Sequence, residues 1–240
     1  MSKYIRIIDR KNYVLINNHD NLVRQKKTDK IFYVKQFYFD FDGLSTDTNT
    51  RLFNEINILS QLKHPAIVKL IGFCPSFFHG KRKPGIFLEY MPNKTLRDVI
   101  ILSKKGKAPF WNDTKKLINL YGIASGMKYA HSKNIIHRDL KPENVLEDEN
   151  YYPKICDFNL SKSKTSDLLL GGSKIVGTPM YMAPEIMEEN DVYSFAIDVF
   201  SFAITAYEIM TNEDLYKRIK NRFDLFKNVI SGYRPEFTTD

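Results

Sequence analysis

Along the first third of the chain, apolar residues fall in short alternating runs, "YIRIID", "NYVLIN" and "KIFYVKQFYF", the period-two pattern of half-buried strands. One stretch breaks the alternation. In "TRLFNEINILSQL", Leu52, Ile56, Leu59 and Leu62 recur at helical spacing, which predicts a helix. "IVKLIGFC" and "GIFLEYM" return to strand character, and Pro92, Asn93 and Lys94 then interrupt the pattern as a hinge would. Beyond them the periodicity turns helical. "TLRDVIILSKK" and "DTKKLINLYGIASGMKYAHSK" predict two helices, the second capped by Asp113 or Thr114. Residues 135 to 182 read as loops with short strands, "NVLED" and "PKICD". "SFAIDVFSFAITAYEIMT" is apolar on nearly every face, which predicts a buried central helix, and "DLYKRIKNRFDLFKNVIS" predicts a last amphipathic helix ending before Gly232. The pattern predicts an α+β, bilobal fold. A small antiparallel β-rich lobe with one helix covers residues 1 to 88, a hinge 89 to 93, and a mainly helical lobe 94 to 240. Ligand clefts commonly form at such junctions.

Composition narrows this little. Of the 240 residues, 43% are hydrophobic and 27% charged, ordinary for a globular chain. The net charge of +8 admits a phosphate-rich partner. The basic residues, however, lie in separate clusters and read as a solvated surface, so no nucleic-acid partner is expected. Cys74 and Cys156 have no metal-ligand or disulfide spacing, which fits a reducing compartment. No stretch is long and apolar enough for a signal peptide or a membrane span, so an intracellular, cytoplasmic protein is expected. Nothing in the sequence sets an oligomeric state.

The chemistry lies in "HRDLKPEN", His137 to Asn144. An Asp followed five residues later by an Asn, with a Lys between, can set three polar groups around one cation and one hydroxyl. The octamer resembles the catalytic loop of protein kinases. Other stretches agree. Asp157-Phe158 resembles the metal-binding Asp-Phe-Gly. "GTPMYMAPE", from Gly177 to Glu185, resembles the segment closing the activation loop. Lys35 in "IFYVKQF" stands where the strand-borne lysine would be, with Glu55 as its helical partner. "LEYMPNKTL" is similar to the hinge that meets adenine, with Leu88 as gatekeeper and Glu89 and Met91 offering backbone groups.

The resemblance covers nearly the whole chain. Lys141 and Gly177-Thr178-Pro179 point to the serine/threonine type, and "HPAIVKLIGFC" and "GYRPEF" to the tyrosine-kinase-like group. It implies ATP and Mg²⁺ as cofactors and a protein Ser/Thr hydroxyl as acceptor. Asp139 would orient and deprotonate that hydroxyl, with Thr178 beside it. Lys141 would steady the phosphoryl group, and Asn144 and Asp157 would hold the metal. Lys35 and Glu55 would grip the phosphates, while Val23, Tyr33, Leu88, Glu89, Met91 and Leu146 would line the adenine site. Arg138 would pair with a phosphorylated residue of the loop 160 to 182, with Ser161, Ser163, Thr165, Ser166 and Ser173 as candidates. Phe158, Glu185 and Asp198 would be structural regulators.

The sequence departs from the family pattern in four places, and three of them, the missing glycines, Tyr33 and the short C-lobe, support the alternative of a pseudokinase or scaffold with weak or no nucleotide binding. Glycine is absent before Gly43. Counting back from Lys35 puts Ile16, Asn18 and Asn21 at the family's glycine positions and Val23 at its valine. Tyr33 stands where an alanine meets the adenine. Asn159 replaces the glycine after Asp-Phe, and is expected to take that glycine's left-handed turn. The chain also stops after "GYRPEF", so a shortened C-lobe is expected, and Glu185 is expected to lack its arginine partner. A small-molecule phosphotransferase is disfavoured by the Gly-Thr-Pro and Ala-Pro-Glu segment. Retention of every charged role favours activity.

Overall fold

A computed structural model describes residues 5–16, 19–37, 46–76, 84–163, 176–188, 194–216, 219 and 221–234. The antiparallel sheet of the first lobe contains β1 (Tyr13–Ile16), β2 (His19–Gln25), β3 (Ile31–Gln36), β4 (Leu70–Cys74) and β5 (Gly85–Glu89), in the order β1-β2-β3-β5-β4. Helix α1 (Thr46–Gln61) buries Leu52, Ile56 and Leu59, the apolar row of its sequence. Two strand expectations change. "YIRIID" makes only an isolated bridge between Ile7 and Phe73, because a short 3-10 turn at Arg10–Asn12, capped by Asp9, ends it. Strand β2 was not anticipated: "HDNLVRQ" has only Leu22 and Val23 as apolar residues, and pairing with β1 and β3 makes it a strand.

The helical lobe starts with α2 (Leu96–Lys104). Its capping box is reciprocal: Thr95 Oγ1 accepts from the Asp98 amide and Asp98 Oδ2 from the Thr95 amide, each at 3.1 Å. Helix α3 (Asp113–Ser132) is capped by Asn112, one residue before the expected cap. Asn112 alone has the extended backbone that lets its Oδ1 accept from the Lys115 amide at 3.0 Å. Short strands follow, β6 (Ile135–Ile136), β7 (Val145–Glu147), β8 (Pro153–Ile155) and β9 (Lys162–Ser163), paired β6 with β9 and β7 with β8. Helices α4 (Pro184–Met187), α5 (Ala196–Thr211) and α6 (Arg222–Ile230) complete the described elements. Among the described residues α5 is buried on one side only: Ile197, Ile204 and Ile209 are covered, whereas Val199 is 59% and Met210 44% exposed.

One apolar cluster runs from Leu52 and Leu59 of α1 through Phe158 to Leu96, Ile123 and Ile209, so the two lobes share a core. A smaller cluster of Tyr13, Val23, Val34 and Phe87 covers the other face of the sheet. No helix among the described residues is long and apolar enough to cross a membrane.

Candidate active site

The loop after β6 is tied to helix α5 by one buried carboxylate. Asp198, 1% exposed, accepts from the His137 amide (2.8 Å), the Arg138 amide (2.9 Å) and His131 Nε2 (2.9 Å). An acid in the first turn of an otherwise apolar helix is satisfied only by such donors. The anchoring holds Arg138 at φ 69, a backbone conformation costly for a side chain with a Cβ. His137 is fully buried, with Nε2 3.0 Å from Cys156 O and Nδ1 3.3 Å from the Asp139 amide. The loop and the strand leading to Asp157 are thereby locked together.

Asp139 sits at the centre of a polar knot. Its Oδ1 accepts from the Thr178 amide (2.9 Å) and hydroxyl (2.7 Å), and its Oδ2 from Asn144 Nδ2 (2.9 Å). Lys141 Nζ lies 2.9 Å from Asp139 Oδ2 and also donates to Thr178 Oγ1. Thr178 reaches in because Gly177, at φ 120, passes so close to Arg138 O that a Cβ would stand 2.8 Å from it.

Across the cavity, Lys35 Nζ donates to Glu55 Oε2 (2.8 Å) and Asp157 Oδ1 (2.6 Å). Burial works against the ammonium, but the two carboxylates outweigh it and push Lys35 up to about 12. Burial raises Glu55, with Lys35 opposing. Phe158 is fully buried in the shared core, edge-on to His137 at 4.8 Å. Asn159 departs from the expected left-handed turn. That conformation belongs to Asp157 (φ 63, ψ 63), while Asn159 lies in the 3-10 turn Phe158–Leu160 and has no positive φ. Its main-chain oxygen, with that of Ser161, receives Asn54 Nδ2 from α1. Asparagine therefore replaces glycine here without strain.

A cavity of about 340 Å³ lies between these groups and the chain joining β5 to α2. Tyr33, Lys35, Leu88, Met91, Leu146 and Asp157 are among its lining residues, with Glu55, Glu89 and Asn144. Tyr33 faces the cavity, and burial raises its phenol pKa. The Met91 amide has no partner among the described residues. Glu89 spends its side chain on Lys154 Nζ (3.0 Å) and the Lys69 amide (2.8 Å).

Val23 is a correction. It is fully buried in the cluster on the opposite face of the sheet, paired with Phe32. Leu22 stands opposite Tyr33 and occupies the cavity-facing register. A one-residue shift of register exchanges the two faces of a strand, which separates Val23 from the cavity. Ile16 pairs with His19, and Asn17 and Asn18 both lie outside the described residues.

Arg138 donates from its side chain to Leu160 O. Ser161 is corrected as a modification candidate: it is 1% exposed and its hydroxyl donates to His137 O. Ser163 ends β9, and Thr165, Ser166 and Ser173 lie outside the described residues. Glu185, in α4, forms no ion pair among the described residues.

Sequence reasoning missed a second charged cluster. Arg97 of α2 donates to Glu143 Oε1 (2.9 Å), Asp214 Oδ1 (2.7 Å), Glu208 Oε2 (2.9 Å) and the Tyr181 hydroxyl. Tyr181 OH in turn donates to Glu208 Oε2 (2.9 Å). Burial raises Glu208 to about 7 despite Arg97. The cluster ties the 3-10 turn Pro179–Tyr181, next to Thr178, to α2 and α5. The available signal was an acid inside the apolar run of α5.

A five-stranded sheet with one helix, a helical lobe, and an Asp-Lys-Asn loop facing a Lys-Glu-Asp triad define a protein kinase domain. The chain belongs to that family, whose model matches residues 21–234. It is 35% identical over 190 residues to a putative serine/threonine-protein kinase/receptor of Acanthamoeba polyphaga mimivirus, covering 78% of this chain and 10% of that protein. It is 33% identical over 218 residues to the receptor-like kinase LIP1 of Arabidopsis thaliana, covering 88% and 32% respectively. With the probable serine/threonine-protein kinase PBL5 of the same plant it shares 34% over 188 residues, or 76% and 42%. The chain thus spans less than half the length of these curated relatives.

Proposed function

We propose that the chain is a protein serine/threonine kinase that transfers the γ-phosphate of ATP to a Ser or Thr hydroxyl of a protein. The observation that carries this reading is the Asp139 carboxylate, held by Thr178, Asn144 and Lys141 and facing the Lys35–Glu55–Asp157 triad. Residues 89–93 are taken as the hinge between the lobes.

The donor set suits magnesium. Asn144 commits Nδ2 to Asp139 O (2.7 Å) and Oδ2, which leaves its Oδ1 unpartnered among the described residues. Asp157 has Oδ1 on Lys35, and its Oδ2 has no hydrogen-bond partner among the described residues. Both residues line the cavity, and hard oxygen donors favour Mg²⁺. No group of three His, Cys, Asp or Glu that would suit a softer metal occurs among the described residues. When bound, the ion neutralises phosphate charge.

The remaining roles belong to the chain. Asp139 orients the acceptor hydroxyl and receives its proton. Lys141, 2.9 Å from that acid, supplies positive charge where the phosphoryl group moves. Lys35, fixed by Glu55, holds phosphate oxygens, and the Met91 amide, without a partner among the described residues, offers a donor to the base. The protein substrate would lie along the Gly177–Tyr181 segment beside Asp139. The test is transfer of radiolabelled phosphate to myelin basic protein by wild type and Asp139→Asn. Transfer by wild type with loss of about a hundredfold or more in the variant is expected. Equal signals would refute the assignment.

A further inference from the structure

A second cavity, about 610 Å³, is larger than the one between the lobes. It opens between the end of α1, strand β4 and the segment at Ile5 and Arg6. Its floor is aliphatic: Leu59 and Leu62 are buried, and Leu70 and Ile71 half-buried. Its rim carries Arg6, Lys63 and Lys69, all exposed, and none has a carboxylate partner among the described residues. The single lining acid among the described residues, Glu89, is already spent on Lys154 Nζ and the Lys69 amide. Three uncompensated cations therefore surround an apolar trough.

The wall that carries Arg6 is built in. The Ile8 amide donates to Phe73 O (2.8 Å) and the Phe73 amide to Arg6 O (2.9 Å), so residues 6–8 are fastened to the edge of β4. Gly72 permits this approach, since a Cβ there would collide with Arg6 O. Arg6 is thus held at the rim by main-chain bonds.

The chemistry selects the occupant. A second copy about a two-fold axis would set the basic rim against itself, with no free acid in the groove to relieve it. A nucleic acid would satisfy the cations, but among the described residues no Phe, Tyr or Trp lines the groove to stack a base. Aliphatic surface flanked by cations matches an extended peptide that alternates aliphatic and acidic residues.

We propose that this groove docks an acidic, leucine-containing peptide segment of another protein, with leucines on the Leu62–Leu70 floor and carboxylates on Arg6, Lys63 and Lys69. Glu89 lines this groove and the inter-lobe cavity, so a seated peptide would adjoin the hinge side of the nucleotide site. Binding here does not depend on catalysis, and the test needs none.

The probe is a fluorescein-labelled Asp-Leu-Asp-Asp-Leu-Glu peptide, titrated with the full chain by anisotropy. Saturable binding is expected, weakening with salt and falling at least about tenfold in Lys63→Glu/Lys69→Glu and again in Arg6→Glu. These side chains are exposed, so thermal midpoints should stay close to wild type, and they provide the folding control. Equal binding by wild type and the reversed variants would overturn the proposal. So would equal binding of a peptide with serine in place of both leucines, since charge alone would then suffice. A wild-type dimer in sedimentation that Lys63→Glu/Lys69→Glu dissolves would also overturn it, by giving the groove to a second copy.

Discussion

Glu147 should make this protein less stable as pH rises through neutrality. It lies in β7 at 0% exposure, and neither carboxylate oxygen has a hydrogen-bond partner among the described residues. Asn119 comes near enough to favour the anion slightly, but its Nδ2 bonds Lys115 O (3.1 Å) and Tyr151 O (3.3 Å). Burial dominates, with Asp148 adding to it and Lys115 opposing, and Glu147 is pushed from 4.5 up to about 8. The folded chain then holds this proton more tightly than the unfolded one. The contribution of Glu147 to stability is complete below about pH 4.5 and is lost as pH rises to about 8. At 1.36 kcal/mol per unit the whole window is about 5 kcal/mol, of which about 3 kcal/mol is lost by pH 7.

Glu147→Leu removes the titration and fills the site with apolar atoms, whereas Glu147→Gln removes the titration but leaves a buried amide. Urea unfolding across this pH window should show the wild-type slope flattened in both variants. At pH 7 the leucine variant should be more stable by up to about 3 kcal/mol, and the glutamine variant by less. The main chain at Glu147 receives the Asn93 amide (3.3 Å) and donates to Lys94 O (2.9 Å), so the effect reaches the segment bordering the inter-lobe cavity. An unchanged slope in Glu147→Leu, or a loss of stability at pH 7, would refute the reasoning.

Three further perturbations have definite expected outcomes. Tyr33→Ala should raise the thermal shift produced by Mg-ATP while Tyr33→Phe leaves it unchanged, because the ring rather than the hydroxyl narrows the cavity it lines; differential scanning fluorimetry reads this, and equal shifts for wild type and Tyr33→Ala would count against it. Asp198→Ala strips acceptors from the His137 and Arg138 amides and should cost about 3–5 kcal/mol in urea, a loss under about 1 kcal/mol being incompatible with the anchoring described. Arg97→Met leaves Glu208 buried beside Tyr181 alone and should cost about 3–5 kcal/mol at pH 8, less below the Glu208 value of about 7, with partial recovery in Arg97→Met/Glu208→Gln. The absence of that recovery would show the clamp to be uncoupled.

Legibility in the sequence followed the distance between partners. His137, Asp139, Lys141 and Asn144 are neighbours in the chain, so their spacing already constrains their geometry. Lys35 and Glu55 were readable because a strand and the next helix can pair in few ways. The Arg97 contacts to Tyr181 and Glu208 join positions 84 and 111 residues apart, and no local pattern encodes them. Glu147 and Glu208 were visible as acids within apolar runs, but what each would face depends on the tertiary fold. The Val23 error came from period-two geometry, in which Leu22 and Val23 look alike and only register assigns the face. Strand β2 escaped because its apolar content is too low to show alternation.

Of the departures from the family pattern, Tyr33 lies on the sheet side of the cavity, whereas Asn159 follows Asp157 in the 3-10 turn. Tyr33 pairs with Leu22 of the neighbouring strand β2. The proton-handling side is held independently: Asp198 fixes the loop main chain, Gly177 admits Thr178, and Thr178, Asn144 and Lys141 fix Asp139. None of these bonds involves the sheet. The Lys35 triad bridges the two sides, and its geometry depends on α1 and on the left-handed Asp157. A substitution at position 33 therefore changes the sheet side of the cavity, while the Asp139 environment stays fixed. A chain can drift at position 33 without disturbing that environment, because the two share almost no hydrogen bonds.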